Sequence, residues 1–161
     1  MRGYLLDVNH VSAHFHKHPQ FMEKYRKVPA DWQWRIAATT LGELQASHLM
    51  STPSNRSRRD EYSAFVIEEY SHNVIQIEAS TALYFAEVIG RIWHKHPPPS
   101  EKTRTDRHLL DCGVDINDVW LIATAFEHGL TVLTTDKMPC IREILTEQEV
   151  RFDCWLPAQN S

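Results

Sequence analysis

Short apolar runs alternate with amphipathic segments along this chain, and that alternation restricts its fold more than any other feature. The run Tyr4–Leu6 stops at Asp7, and the next segment places Val11 and Phe15 four positions apart, as on one face of a helix. A second strand-then-helix unit covers residues 34–49. Strands that alternate with helices predict an α/β fold, with a mostly parallel sheet and helices on both of its faces.

The same patterns predict the remaining elements. A helix that starts at Asp118 is expected to end at Gly129, because glycine readily adopts the left-handed conformation that closes a helix. Ligand sites in parallel sheets gather at the carboxyl ends of the strands. The other predicted segments are helices around 65–70, 81–93 and 138–145, strands at 74–77, 130–133 and 150–155, and loops at 51–60 and 100–106.

Composition is that of a folded domain. Hydrophobic residues make up 42% of the chain and charged residues 24%, which excludes the low-hydrophobicity signature of disorder. We expect one domain over residues 1–161, and no apolar stretch or leader suggests a membrane, so a cytoplasmic location is expected. Three cysteines without a C-x-x-C pair predict neither a zinc site nor a disulfide framework, and are expected to be small buried hydrophobes: Cys112, Cys140 and Cys154.

Four acidic residues occupy comparable places in successive strand–helix units. Asp7 ends the first strand, Glu43 lies in the helix after the second, Asp118 begins the long helix, and Asp136 follows the strand at 130–133. Carboxylates brought together repel one another unless a cation neutralises them, and an all-oxygen site selects Mg²⁺ or Mn²⁺. The formal charge of −4 is then compatible with binding phosphates, because a bound metal reverses the local sign of charge.

Each acid also has an interpretation without function. Asp7 is a plausible turn residue, Asp118 favours a helix N-terminus electrostatically, and Thr40–Glu43 matches a capping box. Asp136 lies in a turn-prone context. The equivalent placement of all four favours a metal site over four separate structural roles.

Four segments resemble the motifs of PIN-domain proteins, in the same order. Residues 4–9 (YLLDVN) are similar to the opening LLDTN segment, and 40–44 (TLGEL) to the internal Glu motif. Residues 117–125 (NDVWLIATA), followed by 127–130, resemble the ND-x-W-I-A-A-x-A helix, and 131–136 (TVLTTD) resembles the LVTxD strand end. The resemblance spans nearly the whole chain.

This resemblance implies a three-layer α/β/α sandwich and a compact nuclease similar to VapC-type toxins. It implies that Asp7, Glu43, Asp118 and Asp136 hold one or two Mg²⁺ (or Mn²⁺) ions, which activate a water that attacks a phosphodiester of RNA. Asn9 and Thr134 would be supporting polar groups. A homodimer and a small antitoxin partner are likewise implied by the resemblance alone.

Several assignments stay open at this stage. Asp115 is a competing ligand beside Asp118, and the segment 104–114 matches no motif. A PIN nuclease of RNA processing or decay without a toxin role, and a catalytically silent PIN-like module that binds RNA or protein, are the alternatives. Candidate phosphate contacts are the loop cations Arg56, Arg58, Arg59, Lys102, Arg104 and Arg107. The histidines at 10, 14, 16 and 18 suggest zinc, but a polar helix face is the preferred interpretation.

Overall fold

Five parallel strands form the centre of the protein in a computed structural model, which describes residues 3–100 and 102–157. Their spatial order is β3-β2-β1-β4-β5, and each neighbouring pair is parallel. The predicted α/β class with a mostly parallel sheet is therefore confirmed. The strands are β1 (Gly3–Leu6), β2 (Gln33–Ala37), β3 (Val74–Ile75), β4 (Thr131–Leu133) and β5 (Arg151–Asp153).

Helices cover both faces of this sheet. The side chains of a strand alternate between faces, so neighbours in sequence enter different cores. The helices are α1 (Val8–Phe15), α2 (Pro19–Tyr25), α3 (Ala38–Leu49), α4 (Arg56–Tyr70), α5 (Ala79–Lys95), α6 (Thr105–Asp111), α7 (Ile116–His128) and α8 (Pro139–Ile144). Leu5 and Val132 pack in the core with α5, α7 and α8, whereas Leu6 and Leu133 pack in the core with α1, α2 and α4. The molecule is thus a three-layer α/β/α sandwich.

The segment 51–60 is not the loop that its composition predicts. A short 3-10 turn at Pro53–Asn55 leads directly into α4, which already begins at Arg56. Proline is well suited to a first helical position, and arginine has a high helix propensity. The first turns of α4 carry no apolar residue before Tyr62, so hydrophobic periodicity does not reveal them.

Other boundaries differ by smaller amounts. The strand expected at 74–77 is only two residues long, and the predicted loop at 100–106 ends where α6 begins at Thr105, with residue 101 outside the described part. Gly129 closes α7 in the left-handed conformation, with φ of 62°, as predicted. Cys154 is exposed, which contradicts its prediction as a buried hydrophobe.

Among the helices in residues 3–100 and 102–157, none is both long and apolar enough to cross a membrane.

Candidate active site

Two of the four predicted acids follow the carboxyl ends of β1 and β4, which are neighbours in the sheet. The strand order reverses at β1, whose neighbours are β2 on one side and β4 on the other. Ligands of open α/β sheets bind in the crevice at such a reversal. Asp7 directly follows β1, Asp136 follows β4, and a backbone hydrogen bond of 3.0 Å from Asp7 N to Leu133 O ties the two strand ends together.

Asp7 is held rigidly from two directions. It caps α1, and its Oδ1 accepts a hydrogen bond of 2.6 Å from the Val8 amide. Its Oδ2 accepts a bond of 2.8 Å from the buried Thr134 hydroxyl. The same hydroxyl oxygen accepts a bond of 3.0 Å from the Asp136 amide, so Thr134 connects the loops that carry two of the acids.

Glu43 and Asp118 are brought together by α3 and α7. Asn117, beside Asp118 in α7, donates a hydrogen bond of 2.8 Å from Nδ2 to Glu43 Oε1. The capping-box interpretation of Glu43 is wrong, because α3 begins at Ala38 and Thr40 lies inside that helix. Glu43 is therefore oriented by a residue from another helix rather than by its own helix start.

Asp118 has a structural role as well. Asp115 is the N-cap of α7, and its Oδ1 accepts a bond of 2.8 Å from the Asn117 amide. Asp118 Oδ2 accepts a bond of 2.8 Å from the Asp115 amide, which completes a capping box. The helix-start interpretation of Asp118 is thus confirmed. Asp115 belongs to the same cap, and it lines a surface cleft together with Asp118.

Burial raises the pKa of Asp7, Asp118 and Glu43, with smaller contributions from neighbouring carboxylates. Burial, with smaller contributions from the charges of Asp136 and Asp118, raises the pKa of Asp7 to about 6. Burial and the charges of Asp136, Asp115 and Glu43 likewise raise the pKa of Asp118 to about 6. Burial also raises the pKa of Glu43. Without a cation, therefore, ionising the whole cluster costs free energy.

The donor set suits a hard cation, although no ready-made coordination cage is present. In the described part of the chain, no lysine or arginine forms an ion pair with Asp7, Glu43, Asp118 or Asp136. No three His, Cys, Asp or Glu side chains within that part are grouped closely enough to hold a metal as they stand. Asp118 and Glu43 each keep one carboxylate oxygen free of the hydrogen bonds given above, so all-oxygen coordination of Mg²⁺ or Mn²⁺ remains compatible with the chemistry.

The predicted supporting and phosphate-binding residues differ in their contacts and in their distance from the acids along the fold. Asn9 donates to the Thr135 hydroxyl at 2.8 Å, next to Thr134 but not to an acid. Arg104 forms an ion pair with Asp106, and Arg107 forms one with Asp111, so each is neutralised within α6 or beside it. Lys102 is exposed. The cations Arg56, Arg58 and Arg59 lie in α4 instead of a loop.

The histidine-rich segment is not a polar helix face. His10 is fully buried, and its Nε2 accepts a hydrogen bond of 3.1 Å from the Trp155 amide. The His14 ring lies among aromatic side chains, with Nδ1 2.7 Å from the Tyr70 hydroxyl. His16 is exposed. These different environments explain why the segment offers no zinc site within the described residues.

Three residues of the site were not assigned from sequence. A cleft of about 960 Å³ is lined by Asp118 and Asp136 together with Thr135 and Lys137. Asn117 contacts Glu43 as described above. Asn117 could have been found from its position in the ND motif. Nothing in the local sequence indicated a role for Thr135 or Lys137.

The PIN domain family matches residues 4–144, which is most of the chain. The chain belongs to the PIN-domain family. No curated protein matches it.

Solved structures share the PIN fold at low sequence identity. A chain of VapBC2 from Rickettsia felis, bound to a DNA fragment from their promoter, superposes with a TM-score of 0.69 at 16% identity, covering 95% of this chain and 98% of that one. A chain of DNA-bound VapBC from Salmonella typhimurium gives 0.67 at 18% identity, covering 97% and 100%. A chain of VapBC-1 from nontypeable Haemophilus influenzae gives 0.66 at 14% identity, covering 94% and 97%. At these identities the likeness establishes the fold.

Proposed function

We propose that this PIN domain is a divalent-metal-dependent endoribonuclease and the toxin of a VapC-type toxin–antitoxin pair. The observation that supports it best is electrostatic: acids from four separate parts of the chain lie near enough to influence one another's charge, and no lysine or arginine in the described residues pairs with them. A cluster that is costly to ionise alone is stabilised by a bound cation.

Asp7, Asp118 and Asp136 would hold the cation, with Glu43 binding it directly or through water. Mg²⁺ or Mn²⁺ would supply Lewis acidity, which lowers the pKa of a water and neutralises charge on a phosphodiester. Thr134 keeps Asp7 oriented through its 2.8 Å hydrogen bond, and Asn117 does the same for Glu43. None of these side chains needs to form a covalent bond to the substrate.

The toxin assignment rests on fold similarity to chains of VapBC complexes. It brings with it the proposals of a small antitoxin partner, a homodimer and a cytoplasmic location. Growth arrest on expression, relieved by a small protein encoded in the neighbouring reading frame, is the expected result. The alternative of RNA processing without a toxin role predicts cleavage in vitro but no such antitoxin.

The enzymatic proposal is tested with purified protein and single-stranded RNA. We expect cleavage with Mg²⁺ or Mn²⁺ and its loss in excess EDTA, because the site supplies metal ligands but no nucleophile. Asp118→Asn should abolish cleavage. Asp111→Asn, which removes an exposed acid that pairs with Arg107, is the control and should leave cleavage intact. Undiminished cleavage in EDTA would refute the metal mechanism. No cleavage with either metal would favour the silent binding module.

A further inference from the structure

A second concave site lies between α1 and α4, away from the four acids. This α1–α4 pocket encloses about 330 Å³ and is lined by polar and aromatic side chains that the proposed metal chemistry does not use. Those that bear on its chemistry are Ser12, Phe15, His16, Arg58, Arg59 and Tyr62.

The charge of this pocket is not neutralised by any residue in the described part of the chain. In the described residues neither Arg58 nor Arg59 forms an ion pair, in contrast to Arg104 and Arg107 on α6. Arg58 Nη2 instead lies 3.5 Å from His16 Nε2. Two guanidinium groups at one cavity without an acidic partner favour an anionic ligand.

Tyr62 lines the same cavity, while its hydroxyl is inaccessible to solvent and lies beside Ser12. Burial raises the pKa of Tyr62 to about 12, so the hydroxyl keeps its proton. Tyr62 therefore adds no negative charge to a cavity that two arginines line.

The pocket is connected to the acids through α1. Asp7 caps the start of that helix, and Ser12 and His16 follow five and nine positions later. At 1.5 Å per residue, the pocket lies about 8–13 Å from Asp7 along the helix axis. Phosphates of a stacked strand rise about 3.4 Å per nucleotide, so the separation corresponds to about two to four nucleotides.

We propose that the α1–α4 pocket is a phosphate-binding subsite for an RNA strand whose scissile bond lies at the four acids. Arginine and serine, both present at this pocket, are among the side chains that contact backbone phosphates in nucleic-acid complexes. The subsite holds the strand a few nucleotides from the point of cleavage. The identity of the ligand as RNA rests on the proposed function, whereas its phosphate chemistry rests on the pocket.

Binding and cleavage can be tested separately. The full-length protein is titrated with a fluorescently labelled single-stranded RNA in EDTA, where no metal-dependent cleavage occurs, at salt concentrations from 50 to 200 mM. Arg58→Ala combined with Arg59→Ala should weaken binding about tenfold, as expected for loss of a charged hydrogen bond. The slope of log K against log salt should fall by about 0.7 for one lost phosphate contact on a single strand.

A matched control removes the same charge elsewhere. Arg26→Ala combined with Lys95→Ala deletes two exposed cations, after α2 and at the end of α5, that form no ion pair in the described residues, and should leave the salt slope unchanged. Tyr62→Phe keeps the ring and removes a hydroxyl that is closed off from solvent, so RNA affinity and the salt slope should stay unchanged. Circular dichroism melting confirms that each variant is folded.

The outcomes separate the two proposals. Unchanged RNA affinity and salt slope in the Arg58 and Arg59 variant, or an equal loss in the control, would overturn the subsite and favour a protein partner or general surface charge. If RNA binds through the pocket but is not cut with Mg²⁺ or Mn²⁺, the subsite stands and the proposed ribonuclease activity fails.

Discussion

The Thr134 hydroxyl links two acids that are far apart in sequence. It donates to Asp7 Oδ2 and accepts from the Asp136 amide, across a separation of 127 positions to Asp7. Asn117 has the corresponding role for Glu43, 74 positions away. Both contacts orient a carboxylate while leaving it ionisable, which is the preorganisation that metal ligands require.

Neutralising a proposed metal ligand should separate its structural role from its proposed catalytic one. Asp118→Asn and Glu43→Gln each relieve repulsion in the cluster while keeping an oxygen that can accept the observed hydrogen bond. We expect the metal-free melting temperature at pH 7.5 to hold or rise, and Mg²⁺-dependent cleavage to fall by about 100-fold or more. Differential scanning fluorimetry and single-turnover cleavage measure the two effects.

Purely structural roles would give the reverse pattern. Loss of a helix-end interaction lowers stability by about 0.5–2 kcal/mol, and the folded fraction would cleave normally. Asp111→Asn is the control, since Asp111 is exposed and pairs with Arg107 on the surface. Variants that melt earlier and retain full cleavage would exclude Asp118 or Glu43 from the active site.

Helix ends account for two residues in the left-handed backbone region. Gly129 closes α7 with φ of 62°, and a Cβ there would meet nothing within 4 Å, so only the backbone conformation demands glycine. Lys17, after α1, has φ of 51° and an exposed side chain. A residue with a Cβ is strained in this region, whereas glycine is not.

Opposite substitutions at these two positions should change stability in opposite directions. Gly129→Ala is expected to lower the free energy of unfolding by about 1 kcal/mol, because it introduces left-handed strain. Lys17→Gly is expected to raise it by about 0.5 kcal/mol, since relief of strain exceeds the added flexibility of the unfolded chain. Urea unfolding without metal measures both. A neutral Gly129→Ala variant would show that α7 can close in another conformation.

Whole-molecule stability depends on buried groups that titrate in opposite senses. The raised pKa values of Asp7 and Asp118 contribute stability that is complete below their unfolded value of 3.8 and lost as pH rises through about 6. Burial lowers the pKa of His10 to about 4, with smaller effects from Asp153 and Lys24. Its contribution is complete above the unfolded value of 6.5 and lost as pH falls toward about 4.

Removing the carboxylate of Asp118 should therefore make the effect of His10 on the pH dependence of stability easier to measure. For the metal-free Asp118→Asn variant, we expect the free energy of unfolding to fall more steeply from pH 6.5 to 4 than in the unmodified protein. The maximum slope for one proton is about 1.4 kcal/mol per pH unit. Urea unfolding at half-unit pH intervals gives the profile.

A second variant identifies the group responsible. His10→Gln should reduce the loss of stability on acidification, even if the variant is less stable overall. The slope of the unfolding free energy against pH, and not its absolute value, measures the uptake of a proton. Identical slopes for the unmodified protein and both variants would contradict the assignment of this pH dependence to His10 and Asp118.

The sequence predicts the elements with strong local signals and misses those without them. Apolar runs before Asp7 and Asp136 indicate β1 and β4, and Gly129 marks the end of α7, because period and propensity act over a few neighbouring residues. The start of α4 at Arg56 carries no apolar period and is not recognised as helical. The family motifs likewise name the four acids in order.

Tertiary packing settles how those acids and cations are used. Contacts such as Asn117 with Glu43 join residues from different helices, and no local preference specifies them. Packing also distinguishes cations that look alike in sequence, since Arg104 and Arg107 meet acids beside or within α6 whereas Arg58 and Arg59 face a cavity. Local patterns decide where the strands and most helices form, but long-range burial decides which charges meet, because the cost of an unpaired charge depends on its surroundings in the folded chain.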